Sequence, residues 1–220
     1  MSMKGDFEFS LWENLCNGPH TVPAVRNQGR TSTCVFQSTS AAGDIEKMRE
    51  AAQEHPSRTS DVRFSANKFV ADFEALAGPI PLDEAFKRFP TALKIFKEQG
   101  VYAEGGGAED RYKISGSQEL KSFEQVADCI SIGKPVIGSI KIDSNFRKLE
   151  PHQIYDYDET LKKTTSDGKT ITHCVVFIGF GRRDGKYYLV FLNSHGSKFC
   201  DGGYGRVYFV HASRFTIIDF

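Results

Sequence analysis

The chain has 220 residues, with 28 Lys and Arg against 28 Asp and Glu, a hydrophobic fraction of 40% and a mean hydropathy of −0.38. That is ordinary globular usage, long enough for one large domain or two small lobes around a sizeable core. Charge neutrality gives no surplus for nucleic acid or anionic lipid, and no apolar run approaches the ~18 residues of a membrane span.

The opening stretch, "MSMKGDFEFSLWENLCNG", is polar and lacks the apolar centre of a secretory signal. Cys16, Cys34, Cys129, Cys174 and Cys200 form an odd, sparse set with no CxxC pair. Such a set is neither a disulfide framework nor a zinc site, so no metal or other cofactor is expected. A cytoplasmic or other reducing intracellular compartment fits these features. Cys129 and Cys174 read as strand cysteines.

From Cys34, the positions Ser38, Ala41, Ile45, Met48 and Ala52 recur at helical spacing and give one small-to-apolar face. Ser32 and Thr33 stand as candidate N-caps, and "HPSRTS" ends the helix. "SANKFVADFEALAG" predicts a second helix closed by Gly78. "LDEAFKRF" and "TALKIFKEQG" predict two more, with Pro90 between them and Gly100 as the stop. "YAEGGGAEDRY" reads as a flexible surface loop. The second half turns to strands: "KPVIGSIKI", then "THCVVFIGFG" and "KYYLVFLNS" joined across an Asp-Gly turn, then "YGRVYFV". Helices first and an antiparallel sheet second predict an α+β arrangement of two lobes, whose crevice is a natural substrate site.

Cys34 falls at a helix start, where unpaired N–H groups and the helix dipole favour a thiolate. A lone cysteine is also commonly a small buried hydrophobe. His173 begins one strand and Asn193 ends its neighbour, 139 and 159 residues after Cys34. An imidazole beside a thiol can take its proton, and an asparagine can hold the ring. Gln28 and the Cys34 backbone N–H could bind an oxyanion. That assembly suits acyl transfer through a thioester. His20, His55, His152 and His211 stand alone in polar or loop contexts and read as ordinary histidines.

"VRNQGRTSTCVFQSTSAAGDIE" resembles the cysteine segment of papain-like cysteine peptidases, K-[ND]-Q-G-x-C-G-S-C-W-A-F. "THCVVFIGFG" resembles their N-H-A-V-x-x-V-G-Y-G, and "LNSHGSKFCDGGYGRVYF" their K-N-S-W-G-x-x-W-G-x-x-G-Y-x-R-[IV]. "GKPVIGSIKI" and "ALKIFKEQGV" add weaker echoes in the same order. The family's histidine and asparagine follow its cysteine by about 130–150 residues. The resemblance implies a papain-like two-lobed fold, with a helical lobe over about 12–110 and a β-barrel-like lobe over about 111–212. Together these make a single catalytic domain over 1–220, with terminal segments crossing between lobes. Only residues 1–33 precede Cys34, so no propeptide is seen. The resemblance also implies Cys34 as nucleophile, His173 as general base and acid, Asn193 as ring-orienting residue and Gln28 as oxyanion donor. The implied partners are a peptide or protein substrate and, by extension, a protein inhibitor.

The pattern departs at several positions. Thr31 replaces a disulfide cysteine, removing a constraint worth ~2–4 kcal/mol. Ser32 and Thr33 replace Gly-Ser, and Val35 and His195 replace tryptophans; His195 stands where the family shields the asparagine–histidine contact from water. "LAGPIP" aligns with N-G-G-[YF]-P, placing Gly78 and Pro79 as substrate-binding positions. Proline has no N–H, so one main-chain bond to substrate is lost there. Three functions follow in order of weight: thiol-dependent peptide hydrolysis, a catalytically weak papain-like binding or regulatory module, and acyl transfer.

Overall fold

The computed structural model describes residues 5–11, 22–55, 60–79, 88–107, 109–165 and 168–220. Cys16, His20 and the helix expected over "LDEAFKRF" lie wholly or largely outside them.

The helices come first. Strand β1 (Phe7–Ser10) precedes α1 (Cys34–Glu54), α2 (Ala66–Ala77) and α3 (Phe89–Glu98). Every residue of α1 from Cys34 to Glu46 is buried, not one face alone. The reason is its placement: α1 packs on α2 and α3 on one side and on the sheet on the other. A helix enclosed in this way must satisfy its polar side chains internally. Asp44 does so by accepting from Arg26 Nη2 and from Phe64 N, each at 2.7 Å. Gly43 lets Phe64 approach, because a Cβ there would lie 2.8 Å from that ring. Helix α2 is capped by the Ser65 side chain, which accepts from Lys68 N, and closes at Gly78 with φ 80°. Pro90 sits in the first turn of α3, where its missing N–H costs nothing.

The described residues of the glycine-rich stretch lie at the surface. They turn between β2 (Val101–Tyr102) and β3 (Arg111–Tyr112), which pair antiparallel, and the Asp110 carboxylate accepts from Gly107 N at 2.8 Å.

The remaining strands are β4 (Gly116–Leu120), β5 (Val136–Lys141), β6 (Ile154–Tyr155), β7 (Thr172–Arg183), β8 (Lys186–Leu192), β9 (Tyr204–Tyr208) and β10 (Ala212–Asp219). They run in the order β4-β10-β5-β7-β8-β9-β6, with β1 on β7. All pairs are antiparallel except β6 with β9. Among the described residues no pairing closes the two ends of this sheet into a barrel. Helix α4 (Phe123–Ser131) lies between β4 and β5 and buries Val126 and Ile130, one turn apart. Cys129 therefore stands half-buried on a helix, not in a strand as its sequence reads.

The chain ends cross the molecule. β1 pairs with β7 in the sheet, while Phe220, just after β10, stacks on Phe64 at 5.7 Å among the helices. No helix among the described residues is long and apolar enough to cross a membrane.

Candidate active site

Cys34 is the first residue of α1. Thr33 is the N-cap residue, but its side chain makes no capping bond. Its φ of −97° and ψ of 15° lie outside the extended region from which a hydroxyl reaches the first turn. The Thr33 hydroxyl meets Thr31 Oγ1 at 2.8 Å instead, and Thr31 Oγ1 donates to Gln28 O at 2.6 Å. The helix therefore opens without a side-chain acceptor over its first N–H groups.

One turn of α1 joins the nucleophile to the strand carrying the histidine. Positions 34 and 38 share a helix face. Ser38 Oγ donates to Cys174 O at 2.9 Å, and the Cys174 backbone hydrogen-bonds the Cys34 thiol. Cys174 directly follows His173 in β7. Along this part of β7 the backbone pairs with β5 on one edge, while pairing with β8 begins only at Val176. The other edge at Cys174 is thus free to receive α1.

His173 is 4% exposed and Cys34 3%. His173 Nε2 lies 2.7 Å from Asn193 Oδ1. The backbone N–H of Ser194 also donates to Asn193 Oδ1, at 2.8 Å, which identifies that atom as the amide oxygen. His173 therefore carries its proton on Nε2 and leaves Nδ1 as an acceptor, the tautomer a general base needs. Phe146 covers the ring, with centroids 5.6 Å apart.

Gln28 is held from three sides. Its backbone N–H donates to Ser194 O at 2.8 Å, and its Oε1 accepts from Ser194 Oγ at 2.6 Å. Its Nε2 donates to Thr31 O at 2.6 Å. A carbonyl only accepts, so this bond fixes the amide orientation and leaves one N–H of Nε2 for a further acceptor. The same segment is tied to the asparagine loop by Gly196 N to Arg26 O at 3.0 Å and by a bridge between Asn27 and His195.

Burial sets the charge state. It raises the Cys34 pKa, against which hydrogen bonding from the Cys174 backbone and the charge of Arg88 pull down. It depresses His173 to about 3, with His195 adding to the shift and the Asn193 bond opposing it. Burial thus favours the neutral form of each partner.

Gly78 and Pro79 sit at the end of α2, whose Phe73 packs on Phe36 near the start of α1. No described hydrogen bond joins either to Cys34, His173 or Asn193. Arg88 does reach the nucleophile loop: buried, it donates from Nη1 to Ser32 O at 2.6 Å. Sequence reasoning missed Arg88, Ser38 and Ser194. Ser194 adjoins Asn193 in "NSHG" and was open to discovery there; Arg88 carries no local signal. Cys200 Sγ donates to Glu150 O at 3.2 Å, and His211 pairs with Asp156 at 2.6 Å. Among the described residues no group of three His, Cys, Asp or Glu side chains is placed to hold a metal ion.

The family profile described as papain family cysteine protease matches residues 83–215, more than half the chain, including His173 and Asn193 but not Cys34. No curated protein matches the sequence significantly. Among solved structures, a digestive procathepsin L 3 of Tenebrio molitor larval midgut superposes with a TM-score of 0.68 at 19% identity, over 97% of this chain and 69% of that one. Xylellain, a cysteine protease from Xylella fastidiosa, gives 0.65 at 16% identity, over 90% and 82%. A structure from work on the mite allergens Blo t 1 and Der p 1 gives 0.66 at 18% identity, over 96% and 74%. The α+β fold is papain-like.

Proposed function

The chain belongs to the papain family of cysteine proteases, and on that premise we propose that it hydrolyses peptide bonds through an acyl-enzyme on Cys34. The observation that carries this reading is the His173–Asn193 pair, oriented by Ser194 N and anchored beside the start of α1 by the Cys174 backbone. In the reaction, the Cys34 proton passes to His173 Nδ1 and the thiolate attacks the substrate carbonyl carbon. The oxyanion is met by the second Gln28 Nε2–H and by the Cys34 backbone N–H. The C–N bond then breaks, His173 returns its proton to the departing amine, and a thioester remains. Water, deprotonated by His173, releases the acid and restores the thiol. The partner is a peptide or protein substrate, and a protein inhibitor would compete for the same crevice. A reducing compartment is part of this proposal, on the sparse cysteine spacing of the sequence.

One observation favours a second reading. Cys34 and His173 are both almost fully covered, and burial disfavours the charged form of each. A papain-like binding or regulatory module with little turnover would show the same features. Acyl transfer to an amine or thiol shares the thioester and differs only in the acceptor. A peptidyl epoxide separates the readings. Labelling of Cys34 in wild type, lost in Cys34→Ala and slowed by orders of magnitude in His173→Ala, supports catalysis. Saturable peptide binding unchanged by Cys34→Ala, without labelling, supports the binding module.

A further inference from the structure

His195, which replaces the residue expected to shield the asparagine–histidine contact, lies directly on the proposed catalytic pair. Its ring stacks on that of His173 with centroids 4.7 Å apart and planes 13° from parallel. Its Nδ1 lies 3.3 Å from Asn193 Nδ2. Asn193 Oδ1 is the amide oxygen, because Ser194 N donates to it, so Nδ2 is the donor and His195 Nδ1 must accept. His195 is therefore neutral, with its proton on Nε2. One amide thus connects two imidazoles: its oxygen accepts from His173 Nε2–H and its nitrogen donates to His195 Nδ1.

We infer that His195 is a positioning residue for His173 and a proton-operated latch on it: neutral, it holds the Asn193 amide in the catalytic orientation; protonated, it releases that amide and opposes charge on His173. Two effects act together when His195 Nδ1 takes a proton. A donor then faces the Asn193 NH2 donor, so the bond that holds the nitrogen end of the amide is lost, leaving only the bonds of Ser194 N and His173 Nε2 to its oxygen. A positive charge also appears 4.7 Å from the ring that must become imidazolium when Cys34 loses its proton. This rests on the acyl-enzyme reading for its functional meaning, but the coupling of the rings stands on geometry alone.

The surroundings agree. The charged group acting on His195 is Arg147, from the turn that also carries Phe146, and the titratable group facing it is the stacked ring of His173 on β7. No carboxylate is among the groups that shift it, and the Arg147 cation opposes its protonation. Phe146 and Phe199 pack on it at 6.1 and 6.0 Å, and the backbone bridge to Asn27 fixes its loop. Burial and Arg147 together hold its pKa down to about 4, so the latch is closed at neutral pH.

The test uses nitrogen-15 histidine spectra of the whole protein, with His195→Gln and His195→Phe. Glutamine supplies a carbonyl acceptor that does not titrate; phenylalanine keeps a stacked ring and supplies none. At pH 7 the expected wild-type result is an Nε2–H tautomer for both rings and a slowly exchanging His173 Nε2–H. Exchange should quicken at least tenfold in His195→Phe and return toward wild type in His195→Gln. As pH falls toward 4, it should quicken in wild type and not in His195→Gln. An Nδ1–H tautomer at His195, or His173 exchange indifferent to both substitutions, overturns the inference. Epoxide labelling of Cys34 in the same samples keeps the two questions apart. Coupled rings without labelling defeat the acyl-enzyme reading and leave the latch; labelling with uncoupled rings does the reverse.

Discussion

At the level of single residues, the site depends on which atoms of two amides point where. Asn193 gives its oxygen to His173 because Ser194 N–H occupies the same oxygen. Asn193→Ala removes the acceptor and frees the ring, so kcat on a peptide substrate should fall about 100-fold, the lower end of the general-base contribution. Gln28 is held by the Ser194 hydroxyl and the Thr31 carbonyl. Gln28→Ala should lower kcat by about 10²–10³, as loss of an oxyanion donor does elsewhere. Ser194→Ala should produce a smaller loss, since Thr31 O still engages the amide. Steady-state kinetics with KM and kcat separated decides both: a change confined to KM would place Gln28 in binding and not in oxyanion stabilisation.

At the level of elements, α1 is the part on which everything turns. It presents Cys34 and Ser38 to the Cys174 backbone, and it holds the preceding segment through Arg26 and Asp44, respectively 5% and 0% exposed. Asp44→Ala leaves the buried Arg26 guanidinium with only the exposed Glu104 carboxylate, 4.0 Å away, as counter-charge, and urea unfolding should show a loss of about 3–5 kcal/mol. Arg26 also donates to Phe64 O, so that loss should loosen the contact between α1 and the segment entering α2. Gly43→Ala drives a methyl into the Phe64 ring and should cost about 1–3 kcal/mol by the same assay. A variant as stable as wild type would show that α1 can shift without penalty.

This scale also shows how much was legible in the sequence. The 3.6-residue spacing after Cys34 gave the helix, and the branched runs "KPVIGSIKI" and "THCVVFIGFG" gave β5 and β7, because burial on both faces leaves continuous apolar strings. Cys34, His173 and Asn193 stood out because each marks the edge of such an element. The rest was hidden for definite reasons. β4 passes as a loop because Ser117, Gln118 and Glu119 are polar and exposed, and β10 opens on exposed Ser213 and Arg214 before its short buried run Phe215–Ile218. Thr33 looks like an N-cap, yet its hydroxyl is taken by Thr31. Arg88 and Ser38 act through backbone carbonyls of distant segments, and a carbonyl has no letter in the sequence. The role of His195 is set by the plane of a neighbouring ring.

For the molecule as a whole, the buried site makes stability depend on pH. His173 is held near 3 in the fold against an ordinary 6.5, so the unfolded chain binds the proton that the fold refuses. His173 thus costs nothing above about pH 6.5, and stability is lost progressively as pH falls from there toward 3. His195, at about 4, acts in the same sense. Asp44 is pushed up to about 6 by its burial and acts oppositely, over the narrower window between 6 and its ordinary 3.8. The two histidines outweigh it, so the midpoint of thermal unfolding should drop between pH 7 and 4. The drop should be shallower in His173→Phe. Equal slopes in the two proteins would mean that His173 titrates freely in the fold.

The central claim is that Cys34 carries the acyl group during turnover. The direct measurement is intact and peptide mass spectrometry after rapid mixing of reduced protein with an activated peptidyl ester, quenched in acid. The acyl-enzyme reading expects a transient mass gain equal to the acyl group, located on Cys34, decaying as free acid appears, and absent from Cys34→Ala. Ester turnover that persists in Cys34→Ala, or folded wild type that never acquires the acyl mass, would contradict it.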